Sequence, residues 1–93
     1  MYSLDYTGKF KKDLKLCQKR GYDMNLIREV IVFMEEHGQA PEENKPHKLQ
    51  GKLLGYWECH IEPNWLLIYD IQDSIRLITL ARTGTHSDLL SKK

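Results

Sequence analysis

Three of the four histidines, His47, His60 and His86, lie in the second half of a 93-residue chain, and Arg82 stands four residues before the last of them. Histidine is the side chain best suited to take and give protons near neutral pH. Arginine offers a fixed positive fork to a phosphate whose charge grows in the transition state. Two or three histidines with one arginine are what RNA cleavage needs when no metal takes part. A base removes the ribose 2′-hydroxyl proton, a cation steadies the pentavalent phosphate, and an acid protonates the departing 5′-oxygen. The ring of Trp65 or Tyr56 could stack on a neighbouring base. The run "RTGTH" at 82–86 places a glycine between two threonines, a turn whose amides and hydroxyls could approach a phosphate.

Other uses of the same residues compete. A histidine in a strand is more commonly structural or simply exposed, and tryptophans such as Trp57 and Trp65 more commonly pack than stack on bases. A zinc site from His47, His60 and His86 would need ligands 13 and 26 residues apart, which matches no compact ligand motif. The two cysteines, Cys17 and Cys59, show no CxxC spacing and read as small core residues without a disulfide.

The elements that must position these residues follow from periodicity. "YSLDY" at 2–6 alternates as a short first strand. Thr7 then caps a helix from about Gly8 to Lys19, with Phe10, Leu14 and Cys17 at helical spacing. Gly21 ends it, and Asp23 caps a second helix carrying Leu26, Ile27, Val30, Ile31, Phe33 and Met34, closed by His37-Gly38. The short connection predicts a helical hairpin. Residues 39–50 read as a loop. From Tyr56 the period becomes two: Tyr56, Glu58, His60 and Glu62 point one way, and Trp57, Cys59 and Ile61 the other. Pro63-Asn64 suits a tight turn; Trp65–Ile71 and Ile75–Arg82 are the next strands of an antiparallel meander. The expected architecture is α+β, a helical hairpin on one face of a small twisted antiparallel sheet, with Glu58 and His60 on the solvent face.

Length admits one domain spanning 1–93. No apolar run could cross a membrane, and the N-terminus has no signal-peptide pattern, so the expected location is the cytoplasm. The net charge of +1 is not that of a strongly basic nucleic-acid binder. Its distribution is polarised, however. Lys9, Lys11, Lys12, Lys15, Lys19 and Arg20 face the single acid Asp13 within 9–20, while residues 35–43 hold four acids and no Lys or Arg. Lys9, Lys11, Lys12 and Lys15 are candidate RNA contacts, although a solvated helix face would look the same.

The N-terminal "YTGKFKKDLKLCQKRGYDM", the H-x-L-x-G of "HKLQG", "HIEPNWLLIY" and the closing "RTGTH" together resemble the YafQ toxins of the RelE/ParE superfamily of bacterial type II toxin–antitoxin systems. The resemblance covers nearly the whole chain. It implies an endoribonuclease that cleaves messenger RNA on translating ribosomes, without a cofactor, on a fold of two N-terminal helices against a twisted antiparallel sheet. It also implies catalytic roles for His47, His60 and His86, a phosphate-stabilising role for Arg82, and an aromatic substrate contact at Trp65. The implied partner is a small dimeric DNA-binding antitoxin with an acidic tail, the complex of the two binding operator DNA.

Two positions depart from that pattern. The residue before the tryptophan is often aspartate in relatives and is Asn64 here, which cannot ionise but can orient a histidine or a ribose hydroxyl. An aromatic residue that some relatives carry near the C-terminus is Leu90. A binding module of the same fold, weak in catalysis, and a gyrase-directed toxin of the ParE branch are the alternative readings.

Overall fold

The computed structural model describes residues 1–90, with the side chain of Leu90 outside the description. Strand β1 (Ser3–Tyr6) leads into helix α1 (Gly8–Lys19), then α2 (Met24–His37). Four strands follow, β2 (His47–Lys48), β3 (Trp57–Glu62), β4 (Trp65–Gln72) and β5 (Leu77–Gly84), and a short helix α3 (His86–Leu90) is the last described element. No helix among the described residues is long and apolar enough to cross a membrane.

Local chemistry sets the helix ends. The Thr7 hydroxyl accepts from the Phe10 N–H at 2.9 Å, capping α1. The same hydroxyl donates to the Ala81 carbonyl at 2.7 Å and so ties the helix start to β5. Asp23 caps α2 through the Asn25 N–H, and Gly38 ends it in the left-handed region at φ 80°. A Cβ at Gly38 would sit 2.6 Å from the Tyr2 ring, so glycine serves both backbone and packing there.

The sheet has the order β1-β5-β4-β3-β2. The expected meander is present, with β3, β4 and β5 antiparallel. The sheet as a whole is mixed rather than antiparallel, because β1 pairs with β5 in parallel, Ser3 against Leu77 through Tyr6 against Leu80. The chain between them, helices α1 and α2 and then β2, β3 and β4, supplies the crossover that a parallel pair requires. A further strand, β2, lies inside the segment read as loop and pairs His47 with Glu58.

The core joins Phe10 and Cys17 of α1 and Ile27, Val30 and Met34 of α2 to Cys59, Ile61, Trp65, Leu67, Tyr69, Ile78 and Leu80 of the sheet. Thus the odd residues of β4 face the helices. Leu66 and Ile68 are equally buried but belong to the opposite face, on which His60 also lies by alternation.

Candidate active site

His60 on β3, His47 on β2 and His86 at the start of α3 form a row. The His47 and His60 ring centroids are 6.2 Å apart, and those of His60 and His86 are 6.1 Å apart. His47 and His86 are exposed and His60 is half-buried between them. Register explains the convergence. His60 pairs with Leu66, and Leu66 with Gly84, so β4 carries His60 to the end of β5, two residues before His86.

Each outer histidine is fixed by neighbours. The backbone N–H of His86 donates to Asn64 Oδ1 at 3.2 Å, and that N–H can only donate, so the facing atom is the amide oxygen. The His86 Nδ1, 2.8 Å from the same oxygen, therefore carries a hydrogen, and Nε2 is left for chemistry. His47 Nδ1 lies 3.0 Å from the Lys45 carbonyl, an acceptor only, and Nε2 lies 3.1 Å from Glu58 Oε1. With Nδ1 donating, one further proton must lie between His47 and Glu58.

Glu58 was expected to face solvent; it is instead 5% exposed. The reason is β2, whose His47 stands directly across from it and covers it. Glu58 Oε2 has no hydrogen-bond partner among the described residues.

A β-bulge turns Arg82 out of the inward-facing series of β5. Ile68 pairs with Arg82 but Tyr69 pairs with Leu80, so Ala81 is an extra residue. Without it the inward series Ile78, Leu80 would continue to Arg82; with it Thr83 turns inward and is buried instead. Beyond Tyr6 strand β5 has no β1 partner, and Arg82 reaches Asp13 of α1, Nε to Oδ2 at 2.7 Å and Nη2 to Oδ1 at 3.2 Å. Asp13 holds the guanidinium charged, raising its proton affinity further. Nη1 has no partner among the described residues.

Two expectations are corrected. Trp65 is 1% exposed; its ring packs on Tyr22, centroids 4.8 Å apart, and its Nε1 donates to the Thr83 hydroxyl at 2.9 Å. It is a core residue, and no RNA base can stack on it in this arrangement. The two threonine amides of the Thr-Gly-Thr segment are not open to a phosphate either. Thr83 N–H donates to Asp13 and Thr85 N–H to Asp88. Lys9, Lys11, Lys12 and Lys15 are exposed on α1, which covers the sheet face opposite the histidine row.

Sequence reasoning missed the supporting acids. Asp13 had one visible signal, being the lone acid in a basic helix. Asp88 had another: Thr85 and Asp88 have capping-box spacing and bond reciprocally, the Asp88 N–H donating to the Thr85 hydroxyl at 3.1 Å. The buried Glu58 had none. The expectation about base stacking at Leu90 concerns a side chain outside the described residues.

Comparison with known proteins fits this geometry. Residues 2–91 match the family described as the bacterial toxin of type II toxin–antitoxin system, YafQ. The chain is 40% identical over 87 residues to the mRNA interferase toxin YafQ of Escherichia coli strain K12, covering 92% of both chains. The crystal structure of YafQ from E. coli strain BL21(DE3) superposes with a TM-score of 0.87 at 38% identity, covering 96% of this chain and 98% of that one. YafQ in the E. coli DinJ–YafQ complex superposes with a TM-score of 0.85 at 39% identity, with the same coverage. The chain belongs to the YafQ family of bacterial type II toxins.

Proposed function

We propose that this chain is an endoribonuclease that cleaves messenger RNA on the translating ribosome, and that an antitoxin restrains it. The observation that carries this reading is the row of three imidazoles about 6 Å apart on the sheet face away from the helices. Two such rings can flank one phosphodiester, one taking the 2′-hydroxyl proton while the other protonates the 5′-oxygen. His60 and His86 share these roles, and His86 presents Nε2 because Asn64 holds Nδ1. His47, whose Nε2 lies 3.1 Å from Glu58 Oε1, assists beside them. Arg82, oriented by Asp13, stabilises the phosphate. The products are a 2′,3′-cyclic phosphate and a 5′-hydroxyl.

The name of the E. coli relative as an mRNA interferase supports the activity, and the DinJ–YafQ complex supports a protein partner. The substrate and the ribosome place the reaction in the cytoplasm.

Primer extension on mRNA translated with wild type and His86→Ala tests the proposal. Discrete cuts with wild type, absent with His86→Ala and bearing cyclic phosphate ends, are expected. Intact messages with wild type would sink it. Equal growth inhibition by both proteins would instead favour a binding module, the reading to which the neutral Asn64 lends support.

A further inference from the structure

Helix α1 holds both ends of the segment that carries Arg82 and His86. Asp13 and Arg20 are seven residues apart, two helical turns, and so lie on one side of α1. Asp13 takes the first end, binding the Arg82 guanidinium twice and the Thr83 N–H at 3.1 Å. Arg20 takes the second, with Nη1 2.7 Å from Asp88 Oδ2 and Nη2 3.2 Å from Oδ1. Asp88 in turn accepts from the Thr85 N–H at 2.9 Å, which fixes the first turn of α3, where His86 sits. Gly84 makes the approach possible: a Cβ there would meet Asp88 Oδ2 at 2.8 Å. The two contacts mirror each other, a helix acid on a strand arginine and a helix arginine on an acid of the last turn.

We propose that Arg20 and Asp88 are positioning residues for His86, and that α1 acts as a splint keeping His86 in register with His60 and Arg82. The proposal rests on the nuclease reading of the site. The five described residues of α3 are too few to be stable alone, so their orientation must come from such tertiary contacts. The bidentate fork supplies direction as well as attraction. This gives Arg20 a task separate from that of the neighbouring lysines, whose side chains have no hydrogen-bond or ion-pair partner among the described residues.

The experiment compares Arg20→Gln, Asp88→Asn, the double variant and Arg20→Lys in the full chain. The single-turnover cleavage rate and the half-saturating concentration of programmed ribosomes are measured for each. Asparagine at 88 can still accept from the Thr85 N–H, and melting temperatures check that every variant folds. The splint predicts that each single change slows cleavage about three- to tenfold with little change in half-saturation. The double variant should cost no more than the larger single, and Arg20→Lys should recover part of the rate. If Arg20 instead served RNA binding, Arg20→Gln would weaken half-saturation alone and Asp88→Asn, by freeing Arg20, would tighten it; that result overturns the proposal. The imidazole 15N spectrum of His86 supplies a readout independent of activity, since loss of the splint should weaken its hydrogen bond to Asn64. If wild type fails to cleave, the nuclease reading falls, and an unchanged His86 spectrum in Arg20→Gln would separately overturn the splint.

Discussion

The Nδ1 of His86 and the Oδ1 of Asn64 stand 2.8 Å apart, and the His86 backbone N–H converges on the same oxygen. Asn64 thus selects the ring tautomer without placing a negative charge beside it. A carboxylate in its place would keep both hydrogen bonds and favour the charged imidazole. Asn64→Asp should therefore move the limb of the pH–rate profile governed by His86 to higher pH, whether the ring acts as acid or as base. Asn64→Ala should leave the ring free to turn and slow cleavage about tenfold or more. Cleavage rates measured from pH 5 to 9 decide both; superimposable profiles for wild type and Asn64→Asp would count against the contact.

Glu58 and His47 must be read as one unit, because the Lys45 carbonyl and the Glu58 carboxylate between them occupy both ring nitrogens. Glu58→Gln keeps the volume and replaces the carboxylate that faces His47 Nε2 with a neutral amide. Cleavage should slow about tenfold, and His47→Gln added to it should cost little more, since both changes remove the same interaction. A double-variant rate equal to the product of the two single effects would show that the residues act separately.

Trp65 is the residue where sequence and structure part most clearly. With both faces of β4 buried, its apolar run carries no alternation to say which residues meet the helices. Its Nε1 hydrogen bond to Thr83 and its contact with Tyr22 fix it as packing. Trp65→Ala should cost about 3–5 kcal/mol of stability, a large share of what a domain of this size has. Urea denaturation measures it. A variant of undiminished stability that binds RNA poorly would restore the stacking role.

Much of the fold was legible because local chemistry decides it. Thr7, Asp23 and Gly38 mark helix ends whatever the tertiary setting, and both helices have the boundaries those residues imply. The meander followed from period-two alternation and the Pro63-Asn64 turn. The pairing of β1 with β5 in parallel was not legible, since a four-residue strand carries no record of its partner's direction. The histidine row could be suspected from residue types. Its construction could not, because it depends on the Ala81 bulge and on β2, and neither leaves a periodic trace. The burial of Glu58 follows from β2, so it was hidden for the same reason.

The two cysteines should be silent in the native protein. Burial pushes the Cys59 thiol up to about 12, a hydrogen bond with Tyr69 opposing it in part, and burial also raises Cys17. The thiolate, the reactive form, is then scarce at neutral pH, and access is closed as well. A disulfide reagent at pH 8 should label both only as fast as the protein opens, and at the full rate in denaturant. Prompt labelling of either cysteine under native conditions would contradict the placement of that side chain in the core.

The Arg20–Asp88 contact also carries a pH signature. The Arg20 guanidinium, with the Thr85 N–H, holds the Asp88 carboxyl well below its ordinary value of 3.8. A carboxyl depressed in the folded state binds its proton more weakly there than in the unfolded chain. Its stabilisation is therefore complete above the unfolded value and is lost as pH falls toward the folded one. The stability difference between wild type and Asp88→Asn should accordingly stay constant from pH 8 to about pH 5 and shrink below about pH 4. Since both side chains are partly open to solvent, the difference should be modest and should fall with added salt. Denaturation series at pH 7, 5 and 3.5, each at low and high salt, supply the comparison. A difference that held or grew on acidification would mean that the Asp88 carboxyl is not depressed in the folded protein, and one that shrank on acidification but ignored salt would mean that its cap on Thr85, not Arg20, holds it there.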